Sequence, residues 1–247
     1  MKRVVVRTHG GLGNQTFQLL YARLFARRTY ARLFEVHDLR YAHGFVRSND
    51  LEQAPLPSIG VRAVSALRLP KLLTRLHLPK DKVTLCGVAY LDGYFQQIAD
   101  YNRFDDVSLR RELLKIREEL KVADFPTREV GMHLRLGDFF KSDAEVVQHL
   151  NERLGRLGPE TEIVTNEESR LRTPQVTEVL AEKRASIIPT TDMTPEQVLR
   201  TLASFRQVDG NDSTLLFWAS VLSGMQCEYQ NVELRALRAR FLAALTH

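Results

Sequence analysis

The sequence is poor in the residues that build disulfide frameworks and metal centres. Its 247 residues include two cysteines, Cys86 and Cys227. Two thiols without metal-ligand spacing exclude a disulfide-stapled scaffold and fit free, buried cysteines in a reduced compartment. No Asp-x-Asp pair of the metal-and-diphosphate type occurs, nor any HExxH, CxxC, GxSxG or P-loop. A metal-independent chemistry with no metal site is the resulting expectation. Long apolar runs are missing too: none approaches the roughly 20 residues that span a bilayer. The N-terminus, MKRVVVR, runs straight into a strand-like pattern without the apolar region and cleavage site of a signal peptide. The chain is therefore expected to be cytoplasmic. Internal repeats and low-complexity segments are also absent.

What is present is ordinary for a globular protein: 44% apolar and 26% charged residues, enough for one large domain or two modest ones. The net charge of +5 comes mostly from arginine, which greatly outnumbers lysine. Guanidinium forks bind phosphates and carboxylates bidentately, so anionic ligands are favoured, although solvated helix faces account for many such residues. The basic residues are scattered and carry no recognisable nucleic-acid-binding motif, so nucleic acid is not expected as a partner.

Residues 3–7 read as a buried strand, followed by a glycine turn over His9–Asn14 and an amphipathic helix from about Thr16 to Thr29. Arg32–Val36 reads as the next strand. Together these make a βαβ unit and predict a parallel sheet. Residues 50–82 are broken by Pro55, Pro57, Pro70 and Pro79, and Arg62–Lys82 is basic and partly amphipathic. That segment suits a surface helix or contact with anionic lipid. Val83–Tyr94 is strand-like and Val107–Val122 a charged helix. A second α/β lobe begins near Glu129, with a helix at Ala144–Gly155 and a strand at Glu162–Thr165. Thr194-Pro195-Glu196-Gln197 is a helix start, with Thr as cap, Pro first and Gln three residues on. The last helix is expected over Asn231–Leu245, with the boundary at 125/126. Two such lobes would place a ligand between the carboxyl ends of their strands.

Four segments suit chemistry. His9-Gly10-Gly11-Leu12-Gly13-Asn14-Gln15 follows strand one and opens helix one, where backbone N–H groups can meet a phosphate. Asn14 and Gln15 add amides for pyrophosphate or sugar. The same residues also suit a plain tight turn. A dinucleotide fingerprint is a further alternative, because Glu35 stands where a ribose-binding acid belongs. Thr16, however, replaces the third glycine. In Gly131–Asp138, strand alternation puts His133 and Arg135 on one face, with Asp138 past the strand end to fix the arginine. A guanidinium there can neutralise a leaving diphosphate without metal. A structural Arg–Asp pair beside a core histidine would look the same. Ile163–Glu168 is a strand followed by acids that could accept from a guanine edge, or simply open a helix. Asp212–Ala219 places hydroxyls at a helix start, either for phosphate or as ordinary caps.

In this order, the segments resemble glycosyltransferase family 11, the bacterial α-1,2-fucosyltransferases, related to the α-1,6- and protein O-fucosyltransferases. The resemblance rests on Gly10–Gln15 followed by Phe17-Gln18, and on Leu91-Asp92-Gly93-Tyr94-Phe95-Gln96. It rests also on His133, Arg135 and Asp138 in H-x-R-R-x-D, on Thr165-Asn166-Glu167, and on Asp212–Trp218. It implies a GT-B fold of two Rossmann-like lobes facing a cleft: residues 1–125 on the acceptor side and 126–247 binding the GDP-sugar. It further implies inverting transfer of fucose from GDP-fucose to a glycan hydroxyl, α-1,2 to galactose, with no cofactor beyond the donor. Peripheral contact with the inner membrane follows if the acceptor is lipid-linked. By the same resemblance Arg135, His133 and Asp138 form the catalytic group. Gly11, Gly13, Asn14, Gln15, Asn166, Glu167, Asp212, Ser213, Thr214 and Phe217 then line the donor. The catalytic base is open, with His37 and Asp38 as possibilities. Two departures stand out. Leu136 replaces the second arginine of the signature, and the usually apolar strand before the last motif reads Gln207-Val208-Asp209-Gly210-Asn211. Both leave room for a degenerate GDP-sugar-binding protein without turnover.

Overall fold

The computed structural model describes residues 3–37, 82–85, 88–136, 140–165 and 167–246. They form two compact units: residues 1–119 with 239–247, and residues 120–238.

The first unit is built on a four-stranded sheet of order β2-β1-β4-β3. β1 (Arg3–Thr8) runs parallel to β2 (Arg32–His37) and to β4 (Val88–Leu91), and β3 (Lys82–Leu85) pairs antiparallel with β4. The Val83–Tyr94 stretch is thus two paired strands rather than one. Val4, Val5 and Val6 are buried, as a central parallel strand requires. Helix α1 (Leu12–Arg28) is buried almost all round; even Arg23 is covered, held by Glu119 at 2.9 Å. Each fully buried Leu or Phe on it contributes about 2 kcal/mol of transfer free energy. Short α2 (Ile98–Tyr101) and α3 (Asp106–Glu119) follow, α3 burying Leu109, Leu113 and Ile116 on one stripe.

Helix α1 starts four residues earlier than the glycine pattern suggests. Only Gly10 needs a left-handed backbone (φ +80°), whereas Gly11 is extended and its carbonyl already accepts from Asn14 and Gln15 N–H at 3.0 and 3.1 Å. The turn is therefore two residues long, and Gly13, Asn14 and Gln15 belong to the first turn of the helix.

The second unit holds an all-parallel sheet of order β7-β6-β5-β8: β5 (Arg128–Leu134), β6 (Glu162–Thr165), β7 (Ser186–Ile188) and β8 (Phe205–Gly210). Helix α4 (Asp143–Leu157) buries Val146, Leu150 and Leu154 at four-residue spacing and is capped by Ser142. α5 (Pro174–Glu182) and α6 (Pro195–Ala203) follow. α6 begins with the expected capping box, in which Thr194 and Gln197 satisfy each other's backbone N–H groups. α7 (Thr214–Ser223) starts on a Ser213 cap and ends at Gly224, φ +74°. α8 (Val232–Thr246) closes the chain; its residues from Ala239 on group with the first unit.

The polarity of β8 has a physical reason, since the strand is an edge of its sheet. Its outer backbone is met by Gln226, whose N–H donates to Arg206 O and whose carbonyl accepts from Val208 N–H, both at 2.9 Å. Asp209 pairs with Arg153, and a polar cavity of about 370 Å³ lies alongside, lined by Arg153, Gln207, Gln226 and Tyr229 among others. None of the residues singled out from the sequence as functional lines that cavity. Cys227 at its edge carries a thiol that burial pushes up to about 11, far from the reactive range.

Candidate active site

In the second unit, the carboxyl ends of β6, β5 and β8 lie side by side, and each ends in a polar segment. Arg135 follows β5. Its backbone N–H donates to Asn211 Oδ1 at 3.0 Å, while Asn211 N–H donates back to His133 O at 3.3 Å. Asn211, the residue after β8, therefore fixes the direction in which the chain leaves β5. Gly210 makes this approach possible, since a Cβ there would stand 2.5 Å from His133 O. Leu136 belongs to the unit's core with Met132, Leu134 and Val146 and is wholly buried. The position of the second arginine thus lies in the core.

His133 is buried, with Nδ1 3.4 Å from Ser213 Oγ. Burial, helped by the Arg135 charge, lowers its pKa to about 4, so the ring is neutral near pH 7. It is a support for the cap of α7 rather than a charged partner for phosphate. Ser213 Oγ accepts from Leu216 N–H at 3.1 Å and is itself buried, whereas Thr214 is partly exposed at the first helical position. The leading N–H groups of α7 thus sit at the end of β8, beside the chain that carries Arg135.

Several expected donor residues have structural roles instead. Phe217 is wholly buried and packs edge-on against Trp218 at 5.5 Å, so it belongs to the core. Asp212 accepts from Gln230 and Asn231 N–H at 3.0 and 2.6 Å, tying the loop before α8. Glu168 accepts from Thr190 N–H at 2.6 Å, which with Thr191 and Arg172 holds its carboxyl below the usual range against slight desolvation. Glu167 is half-buried after β6, its N–H on Thr165 Oγ1 at 3.2 Å. Asn166, Asp138 and Asp38 lie outside the described residues, as do 38–81, which include most of the basic segment.

In the first unit, the glycine turn and the Leu91–Gln96 segment are knitted together at the carboxyl ends of neighbouring β1 and β4. Gln96 Nε2 donates to Asn14 Oδ1 at 2.9 Å. Phe95 stacks flat on Tyr21, centroids 4.1 Å apart, while its backbone is left-handed (φ +50°). Tyr101 Oη donates to Phe95 O at 3.0 Å and helps to hold that strained residue. Asp92 accepts from Arg7 Nη1 at 3.2–3.3 Å and lies 3.4 Å from His9 Nε2. Burial works to raise the Asp92 carboxyl, but the His9 hydrogen bond and the Arg7 charge together hold it below its ordinary value. Gln15 is wholly buried and its Nε2 donates to Gly10 O at 2.7 Å, so its amide braces the turn rather than facing a ligand. Gly13 is buried within the helix, whereas Gly11 opens onto free space. Glu35, the ribose-binding candidate, accepts from Thr8 Oγ1 at 2.6 Å, and Thr16 is buried with its hydroxyl on Leu12 O. His37 ends β2. Arg7, His9, Asp92 and Asn211 were not among the site residues suggested by the sequence. Asp92 and His9 do lie within its two most specific segments, but their pairing depends on β1 and β4 being neighbours.

Among the described residues no group of three His, Cys, Asp or Glu could hold a metal ion, and no helix is long and apolar enough to cross a membrane.

No family model matches the chain, and no curated protein does. Solved structures do match. A mutant of Arabidopsis thaliana FUT1 in complex with GDP is similar over 92% of this chain and 70% of its own, at 12% identity and a TM-score of 0.54. Fucosyltransferase NodZ from Bradyrhizobium matches at 15% identity over 90% of this chain and 93% of its own, TM-score 0.48. E. coli heptosyltransferase WaaC with ADP matches at 14% over 98% and 99%, TM-score 0.45. The likeness to FUT1 bears on the fold alone. With a largely parallel sheet in the first unit and an all-parallel one in the second, it gives the fold class: α/β, of the GT-B type.

Proposed function

We propose that this chain is an inverting, metal-independent glycosyltransferase that moves fucose from GDP-fucose to a glycan hydroxyl. A fold alone does not determine an activity. The observation that carries the reading is the carboxyl edge of the second sheet, where Asn211 sets the path of the Arg135 backbone beside the Ser213-capped start of α7. On this reading the second unit holds the GDP-sugar and the first holds the acceptor. Arg135 neutralises charge gathering on the diphosphate as the bond to the anomeric carbon breaks, and the N–H groups at Thr214 take phosphate oxygens. Glu167, after β6, accepts from guanine on this reading. His133 and Ser213 hold the helix start in place. The α-1,2 linkage to galactose and the bacterial origin rest on the family resemblance, and the cytoplasmic setting on the sequence composition. The resemblance rests most on Gly10–Gln15 and Leu91–Gln96, which meet in one cluster.

A second reading has its own support. With Leu136 in the core, the signature offers one arginine rather than two, as suits a GDP-sugar-binding protein without turnover. Transfer of labelled fucose to lactose, with EDTA present, decides between them. Arg135→Ala is expected to lower the rate on the order of a hundredfold or more, from the loss of about 3–4 kcal/mol at the transition state. Near-normal turnover in that variant would remove Arg135 from the mechanism. Donor binding with no turnover in the unaltered protein would establish the second reading.

A further inference from the structure

The first unit carries a cavity that the transfer reading does not use. It measures about 530 Å³, a size that suits a small ligand, and is lined by Arg27, Arg28, Tyr30, Arg103, Asp105 and Ser108 among others. The last turn of α1 forms one wall and the start of α3 another. The acids nearby are already engaged. Asp105 accepts from Ser108 N–H at 2.7 Å, Asp106 pairs with Arg240, and Glu112 pairs with Arg27 at 3.5 Å. Arg28 and Arg103 are not neutralised in this way. Arg28 Nη1 donates to Arg103 O at 2.9 Å, and Arg103 Nε to Asp100 O at 3.2 Å. Neither has an ion-pair partner among the described residues, so both charges and most N–H groups of each fork are left for an anion.

These arginines are not needed to finish the helix. Tyr30 and Ala31 N–H close a Schellman motif on Arg27 O and Ala26 O at 3.1 and 2.9 Å, and Thr29 Oγ1 donates to Phe25 O at 2.8 Å. Position 30 has φ +51°, where the motif favours glycine. Tyr30 stands there instead and is 94% exposed, so packing returns nothing for the strain of its backbone. An amphipathic ring beside two unpaired guanidiniums suits a ligand with a carbon skeleton and an anionic group.

We propose that this cavity binds a phosphate ester, with Arg28 and Arg103 on the phosphate oxygens and Tyr30 against the skeleton that bears them. Every residue named in the cavity belongs to the first unit, so the site does not depend on the fucosyl-transfer reading. A soluble sugar phosphate and a lipid headgroup present the same group, and two arms of one experiment separate them.

The full chain, with GDP added in excess to fill any nucleotide site elsewhere, is titrated at low salt. One arm uses glucose 1-phosphate with glucose as control. The other uses phosphatidylcholine vesicles with and without phosphatidylglycerol. Binding in either phosphate-bearing arm, absent from its control, is expected, and the arm that responds identifies the source. Arg28→Gln and Arg103→Gln should each weaken it at least about tenfold while GDP affinity stays within about twofold. Tyr30→Gly should raise the melting temperature, because glycine suits the backbone there, yet weaken the ligand about fivefold. No binding in either arm overturns the proposal. So does binding equal to the control, or binding that the arginine variants or Tyr30→Gly leave unchanged. Failure of GDP to bind the unaltered chain contradicts the transfer reading instead, and the two titrations still decide this one.

Discussion

The Gln96 side-chain amide donates to Asn14 Oδ1 at 2.9 Å, across 82 residues of sequence. This bond joins the glycine turn to the Leu91–Gln96 segment, the two stretches on which the family resemblance leans most. A double-mutant cycle of Asn14→Ala and Gln96→Ala is expected to show about 1 kcal/mol of coupling in urea unfolding, the usual worth of such a bond. Additive effects of the two substitutions would mean that the segments are held together by other contacts.

Gly210 lets β8 lie against the end of β5. A Cβ added there meets His133 O at 2.5 Å, a backbone atom that cannot swing aside. Gly210→Ala should therefore cost about 3 kcal/mol, the upper end of overpacking effects, and should weaken donor binding with it because Asn211 is the next residue. A thermal melt unchanged from the unaltered protein would contradict the close approach.

Much of this architecture was legible in the sequence. Val4–Val6, the cap at Thr194, the strand at Glu162–Thr165 and the helix read at Ala144–Gly155, which spans Asp143–Leu157, announce themselves through local periodicity and capping residues. Long-range geometry was not. Nothing local reveals that β4 lies beside β1, which is what brings Asp92 to Arg7 across 85 residues, and to His9 as well. Nor could the motif show that Phe217 and Leu136 turn inward or that Asp212 ties a later loop. In each case the residue type suited a ligand and a packing role equally, and the tertiary contacts chose packing. The polar β8 read as a poor buried strand because its edge position cannot be seen from its own residues.

His133 gives a pH signature. Its folded pKa of about 4 lies below the ordinary 6.5, because burial and the nearby Arg135 disfavour the charged ring. The unfolded chain then binds a proton that the folded chain refuses, so this contribution is fully present above pH 6.5. It is lost as pH falls towards about 4, amounting to about 3 kcal/mol in all. Urea midpoints at pH 7.5, 5.5 and 4.5 should fall more steeply for the unaltered protein than for His133→Gln. Parallel pH dependence in the two would show that His133 titrates normally.

Placing an arginine at position 136, as in the family that the sequence resembles, should harm rather than help. Leu136 is wholly buried among Met132, Leu134 and Val146, so Leu136→Arg buries an unpaired charge. A loss of about 3–5 kcal/mol is expected, read as a lowered melting temperature with no gain in GDP-fucose affinity. A stable variant that binds the donor more tightly would place residue 136 at the ligand instead of in the core.

The most direct test of the central claim is calorimetric titration of the unaltered chain and of Arg135→Ala with GDP, GDP-fucose, GDP-mannose, UDP-sugars and NAD, in EDTA. The account predicts that the unaltered chain binds GDP and GDP-fucose without metal, and that Arg135→Ala weakens this by at least about tenfold, the worth of a charge-assisted hydrogen bond. Binding of NAD alone, of none of these ligands, or of GDP-fucose with equal affinity in both proteins would contradict it.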